Sequence, residues 1–182
     1  MILYVVIAII AVLVIYLIVQ YNAFVKANNI VKEAFSTMDV YLKKRWDLIP
    51  NLVEVVKGYA KHEKEIFNQI TSLRTNSYDS IPMDKKINVN EQLGHGITKI
   101  MAIAENYPEL KANENFAKLS ADLTKIEDEI ANSRKYYNGA VRELNNEIQM
   151  FPGNIVAGVF GFKQANMFEA NAEERNNVKV SL

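Results

Sequence analysis

The sequence predicts an all-α protein: an N-terminal transmembrane helix followed by an antiparallel four-helix bundle with long helices. Three observations predict it. Residues 1–19, MILYVVIAIIAVLVIYLIV, carry no polar or charged side chain beyond the hydroxyls of Tyr4 and Tyr16. Beyond them, apolar residues recur at spacings of three and four, the period of one buried helical face. No stretch alternates with period two, apart from Val178-Lys179-Val180 at the very end. Amphipathic helices joined by short turns can bury their stripes only against one another, which gives a bundle. The chain then divides into an anchor (1–21), a helical domain (22–170) and a polar C-terminal tail (171–182).

At about 1.5 Å per residue, the first nineteen residues span roughly 28 Å, close to the hydrocarbon thickness of a bilayer. A cleaved secretory signal would want a basic n-region, a shorter apolar core and a small-residue cleavage site. No Lys or Arg precedes the apolar run, and Gln20, Tyr21 and Asn22 follow it. The expectation is a retained single-pass anchor that contacts the lipid bilayer through residues 1–19. Lys26 and Lys32, then Lys43, Lys44 and Arg45, lie on its C-terminal side only. The positive-inside rule then places the N-terminus outside and the domain in the cytoplasm, the reverse orientation being the alternative. The absence of cysteine is compatible with either side.

The first domain helix carries apolar residues at 31, 34, 35, 38, 41, 42, 48, 49, 52, 55, 56, 59, 66, 70 and 73, with Arg45 and Glu63 filling two steps. The phase does not slip at Pro50. That predicts one long helix over about 22–75, kinked rather than broken there, although a break with Pro50 as the first helical residue is also sound chemistry. Residues 76–90 are expected to be a loop. A short helix over about 91–105 follows, weakened by Gly94 and Gly96 at about 1 kcal/mol each unless another helix packs closely there. Pro108 pushes Tyr107 out of the helical region, so that helix ends before it and 105–113 forms a turn. Asn113 is placed to cap the next helix. Its stripe of Phe116, Leu119, Leu123, Ile126, Ile130, Tyr137, Val141, Leu144 and Ile148 runs to the FPG stop at 151–153. Residues 154–168 are either a short fourth helix folded back on the bundle or a segment on the membrane surface, given Phe160, Phe162 and Phe168.

The 21 basic and 21 acidic residues balance, which argues against nucleic acid as a partner. Lys43-Lys44-Arg45 reads as a solvated face or as a lipid-headgroup contact. Di-metal bundle sites need Glu-x-x-His twice. Here Tyr59 precedes His62 and Gln92 precedes His95 by three, and His62-Glu63 meets Ile66 where a zinc protease would have histidine. There is no nucleophile elbow and no phosphate-cradling loop. No cofactor, metal or catalysis is expected. What remains is a set of polar groups on or beside the inner stripes: Arg45, Glu63, Arg134, Tyr137, Asn138, Arg142 and Asn145. They either fix helix register through hydrogen bonds or line a polar groove for a partner peptide or headgroup.

KKRWDLIPNLVEVVKGYAKHE (43–63), AENYPELKANENFAKL (104–119) and IEDEIANSRKYYNGAVRELNNEIQMFP (126–152) together resemble the bacterial LemA family. The resemblance covers almost the whole chain. It implies one membrane anchor, an antiparallel four-helix bundle and a biochemical role that is poorly defined. It also places Arg45, Asp47, Pro50, Asn51, Glu105, Asn106, Tyr107, Pro108, Glu127, Arg134, Tyr137, Asn138, Arg142 and Asn145 at signature positions, none of them as a catalytic group. Gly94-x-Gly96 departs from the pattern. The expected function is therefore a membrane-anchored interaction or scaffold protein with an unidentified protein partner and possible homo-oligomerisation. The alternative is a bundle that binds a small ligand or lipid headgroup, possibly hydrolytically, through the polar patch on the third helix.

Overall fold

The computed structural model describes residues 1–74 and 77–168; the expected tail and the Val178–Val180 alternation lie outside them. Six α-helices and one 3-10 turn, with no strand, make up the described residues: α1 (Ile2–Tyr59), α2 (Lys64–Ser72), the 3-10 turn (Tyr78–Ser80), α3 (Met83–Glu105), α4 (Pro108–Lys111), α5 (Glu114–Gln149) and α6 (Gly153–Phe160). They divide into two compact units, residues 1–38 with 132–168 and residues 39–131, and both α1 and α5 contribute to each.

The N-terminal end of α1 is long and apolar enough to cross a membrane, and none of that stretch is buried in the protein. This is what all-round hydrophobicity dictates: a helix with no polar face needs lipid or protein on every side. Beyond Tyr21 the helix becomes one-sided.

In the first unit, Phe24, Ala27, Val31, Ala34, Phe35 and Met38 are buried at the three-and-four spacing while Lys32, Glu33 and Ser36 stay exposed. From α5, Tyr137, Ala140, Val141 and Leu144 are buried, and Phe35 meets Tyr137 edge-on with ring centroids 5.9 Å apart. Helix α6 buries Gly153, Val156 and Ala157. Val156 and Ala157 join Phe24 in a cluster against which Tyr16, Ile148 and Phe162 pack. Glycine is required at 153: a Cβ there would collide with the Glu147 carbonyl oxygen and lie 3.2 Å from Gln20 Nε2. Gly161, at φ +74°, ends α6. The Phe162 N–H then returns to the Ala157 carbonyl at 3.0 Å, closing a Schellman turn.

In the second unit, α1 runs through Pro50 without a break, so the continuous reading of that position holds, and its ring lies on the exposed side. The helix nevertheless stops at Tyr59, well short of residue 75. The stripe disguised the stop, because Val56, Ala60, Phe67 and Ile70 are all buried in phase across it. The expected loop over 76–90 is also corrected, since α3 begins at Met83, directly after Pro82. Asn90 hid this helical start: it is fully buried at a position where the stripe would call for an apolar residue. The turn over 105–113 contains the single-turn helix α4, with Pro108 in its first turn and Tyr107 in an extended conformation before it. Asn113 caps α5 as expected, its Oδ1 accepting the Phe116 N–H at 3.0 Å.

Gly94 and Gly96 sit inside α3 without ending it. A Cβ on Gly96 would lie 2.7 Å from Ile70 Cγ1, so close packing against α2 explains that glycine. Gly139 on α5 has nothing within 4 Å of a built-in Cβ. Two opposite outcomes are expected by far-UV circular dichroism on the full chain in micelles. Gly139→Ala raises stability by about 0.5–1 kcal/mol through helix propensity. Gly153→Ala lowers it by about 1–3 kcal/mol through overpacking. Equal effects at the two positions would refute the packing argument.

Candidate functional sites: a buried arginine and an asparagine clamp

Arg45 lies on the inner stripe of α1 and is 2 % exposed. A guanidinium in that position must find acceptors, because burying an unpaired charge costs several kcal/mol. Its Nη1 donates to both Glu127 carboxylate oxygens, at 2.9 and 3.1 Å. Its Nη2 donates to the Asn90 carbonyl at 2.6 Å and to Asn90 Oδ1 at 3.2 Å. Asn90 in turn donates from Nδ2 to the Lys86 carbonyl at 2.9 Å. Only the Arg45 Nε–H lacks a protein acceptor. Gly94 lies beside the guanidinium, where a Cβ would sit 3.6 Å from Nη1, an ordinary van der Waals contact.

A second polar group lies in the same unit. The Tyr78 hydroxyl donates to Asp39 Oδ1 at 2.5 Å, and Lys86 Nζ donates to Asp39 Oδ2 at 2.8 Å. Burial first, then the hydrogen bond to Asp39, pushes the Tyr78 phenol far above its usual range, so it stays a donor. The Arg74 guanidinium lies over the Trp46 ring, 5.0 Å from its centroid. Desolvation lowers its pKa, against the opposing charge of Asp47. Of these residues, Arg45, Asp47 and Glu127 stood among the expected site positions. Asn90, Tyr78, Asp39 and Lys86 were missed because single polar residues outside a motif carry no periodic signal.

The α5 patch takes a different form from an open groove. Asn145 Nδ2 donates to the Ala165 carbonyl, and the Ala165 N–H donates back to Asn145 Oδ1, both at 2.9 Å. Asn138 makes the same pair with Phe168, at 2.7 and 2.8 Å. The Tyr137 hydroxyl donates to the Asn166 carbonyl at 2.9 Å, and burial raises its pKa. Arg134 lies over the Phe168 ring, 4.2 Å from its centroid. The spacing follows from elementary geometry. Seven helical residues rise about 10.5 Å, and three extended residues span about 10 Å. Two carboxamides seven apart on a helix therefore match residues 165 and 168 of an extended segment running the opposite way. Each carboxamide pairs with the backbone donor and acceptor of one residue, with no reference to side chains.

The remaining expected positions lie elsewhere. Arg142 points outward, its side chain 64 % exposed, with its closest acidic neighbour Glu143 at 4.0 Å. Asp47 is exposed and pairs with Lys43 at 2.7 Å. Pro50, Asn51, Asn106 and Pro108 are exposed and Tyr107 is half-buried, and Glu105 pairs with Lys111. Asn106, Tyr107 and Pro108 border a shallow pocket with Gly58, Tyr59, Lys61 and Glu109. The Lys43-Lys44-Arg45 run is not a single basic face, since Arg45 turns inward. Among the described residues, no three histidine, aspartate or glutamate side chains converge to hold a metal.

Comparison with known proteins adds the following. The family model described as "LemA family" matches residues 34–182. The chain is 26% identical over 179 residues to Magnetosome protein MamQ 2 of Paramagnetospirillum magneticum, covering 84% of this chain and 66% of that protein. It is 25% identical over 178 residues to Magnetosome protein MamQ of Magnetospirillum gryphiswaldense, covering 84% and 65%. It is 26% identical over 162 residues to Protein LemA of Metamycoplasma hominis, covering 88% and 74%. The chain thus spans just under two thirds of the length of the MamQ relatives.

Two outcomes are expected from the two polar constructions. Arg45→Lys keeps the charge but cannot fork between Glu127 and Asn90, and it lowers stability by about 1–3 kcal/mol. Glu127→Gln keeps an acceptor oxygen but removes the negative charge facing the buried guanidinium, and it too lowers stability by about 1–3 kcal/mol. Denaturant melts in which both variants match the unsubstituted chain would refute the buried fork. On α5, Asn145→Asp keeps the acceptor for Ala165 N–H and removes the donor to its carbonyl. Trypsin cleavage after the exposed Lys163 is expected to accelerate, and further in the Asn138→Asp/Asn145→Asp double variant. Unchanged cleavage in both would mean that other contacts hold the segment.

Proposed function

Because the chain belongs to the LemA family, we propose that it is a membrane-anchored interaction or scaffold protein without catalytic activity. The observation that carries this reading is the use made of the polar signature side chains. Arg45 and Glu127 bind each other and Asn90. Tyr137, Asn138 and Asn145 bind the chain's own residues 165–168. Among the described residues, these side chains are committed to holding the chain together, which weighs against the ligand-binding alternative at the α5 patch. The finer architecture we propose is an antiparallel four-helix bundle built on the long α1 and α5. Interdigitation of stripes such as Phe35 with Tyr137 supports it.

We place the first nineteen residues across the bacterial inner membrane with the N-terminus outside and the helical domain in the cytoplasm, supported by the lysines on the C-terminal side of the span. Two of the MamQ relatives are magnetosome proteins by name. That description concerns those proteins. The partner of this chain is a protein, with a second copy of the chain as the simplest candidate.

Two single-cysteine substitutions test both parts. Lys111→Cys puts a single exposed thiol on a chain without cysteine. In intact cells, a membrane-impermeant maleimide is expected to leave it unlabelled until lysis; immediate labelling would reverse the orientation. A thiol-directed photo-crosslinker at Lys111→Cys, and separately at Tyr136→Cys, is expected to give discrete adducts in cells. Illumination that yields only uncrosslinked monomer at both sites would count against an interaction protein.

A further inference from the structure

We propose that α6 is a second membrane contact, lying in the interfacial layer beside the end of the transmembrane span. The proposal rests on the anchor reading of residues 1–19. Three observations carry it.

The first is where α6 sits within its unit. Its buried face packs on Phe24, and Tyr16 joins that cluster from inside the apolar stretch. The Tyr21 ring meets Phe160 and Phe162 edge-on, at 5.1 and 5.6 Å between centroids. If residue 19 marks the end of the span, Tyr16 lies about 5 Å inside it, by the helical rise. Whatever packs on Tyr16 and Tyr21 is therefore at headgroup depth, the level at which interfacial helices settle and aromatic side chains gather.

The second is the outward face. Ile155 is 59% exposed, Val159 74% and Phe160 48%, and Met150 and Phe151 in the preceding turn are 62% and 79% exposed. Five exposed large apolar side chains within eleven residues are unusual on a surface that meets only water. Here they belong to a segment packed against the end of the apolar stretch.

The third is charge. Between Glu147 and Lys163 no residue carries a charge. Lys26 and the exposed Lys163 flank the region and can reach phosphates with their long side chains. The geometry thus commits the patch to lipid and not to a second protein, because its neighbour on the helix is already in the bilayer.

The test uses the full chain in phosphatidylcholine–phosphatidylglycerol vesicles. Single substitutions Ile155→Cys, Val159→Cys, Lys135→Cys and Val12→Cys carry an environment-sensitive fluorophore. Quenching is read from lipids bearing a nitroxide near the headgroup or deep in the chain. Shallow quenchers are expected to act several-fold more strongly on Ile155→Cys and Val159→Cys than on Lys135→Cys, with blue-shifted emission. Val12→Cys is expected to respond to the deep quencher. Water-like emission at 155 and 159 with Val12→Cys quenched would overturn the α6 proposal and leave the anchor standing. Blue-shifted emission at 155 and 159 without lipid quenching would overturn it in favour of a protein cover. An unquenched Val12→Cys would remove the anchor reading and the proposal with it.

Discussion

A guanidinium taken out of water costs several kcal/mol unless its donors are met in good geometry. Arg45 sets that requirement at the centre of the second unit, and several otherwise odd features answer to it. Glu127 on α5 supplies a bidentate carboxylate. Asn90 supplies both its backbone carbonyl and its side-chain oxygen, which is why a polar residue occupies a fully buried position on α3. A hydrocarbon stripe tolerates sliding by a turn with modest loss. A fork that needs two oxygens on one helix and one residue on another does not. Arg45 therefore fixes which turn of α1 meets which turn of α3 and α5.

The asparagine clamp applies a related logic to a segment without regular structure. Residues 162–168 have backbone groups to satisfy and no helix or sheet of their own. The carboxamides of Asn138 and Asn145 stand in for a neighbouring strand, and the seven-residue helical repeat matches the three-residue extended one. Phe168 is buried at the end of the segment, under Arg134. Polar satisfaction and apolar burial thus hold the same few residues, and each would be weaker alone.

How far the sequence disclosed this structure depends on how each element is stabilised. Helix α5 was legible almost to the residue, because its stripe, its Asn113 cap and its FPG stop all agree. The long apolar start of α1 was legible from composition alone. The stop of α1 at Tyr59 was not, because burial stays in phase across the gap and periodicity cannot distinguish one helix from two in register. The first half of α3 was obscured by Asn90, whose burial makes sense only once Arg45 is placed beside it. At the candidate sites, the residue types on α5 were visible, but their target was not. Nothing local in residues 165–168 announces a segment that presents its backbone to two asparagines twenty and thirty positions earlier.

The order of synthesis gives the Arg45 fork a consequence in time. Glu127 follows Arg45 by 82 residues, which a ribosome adds in roughly 4 to 16 s at ordinary elongation rates. During that interval Arg45 and the stripe around it have no final partner. Hydrated on the nascent helix, the guanidinium interrupts an otherwise continuous apolar face until α5 arrives. The same residue that fixes register in the finished protein breaks up the apolar stripe of the unfinished one.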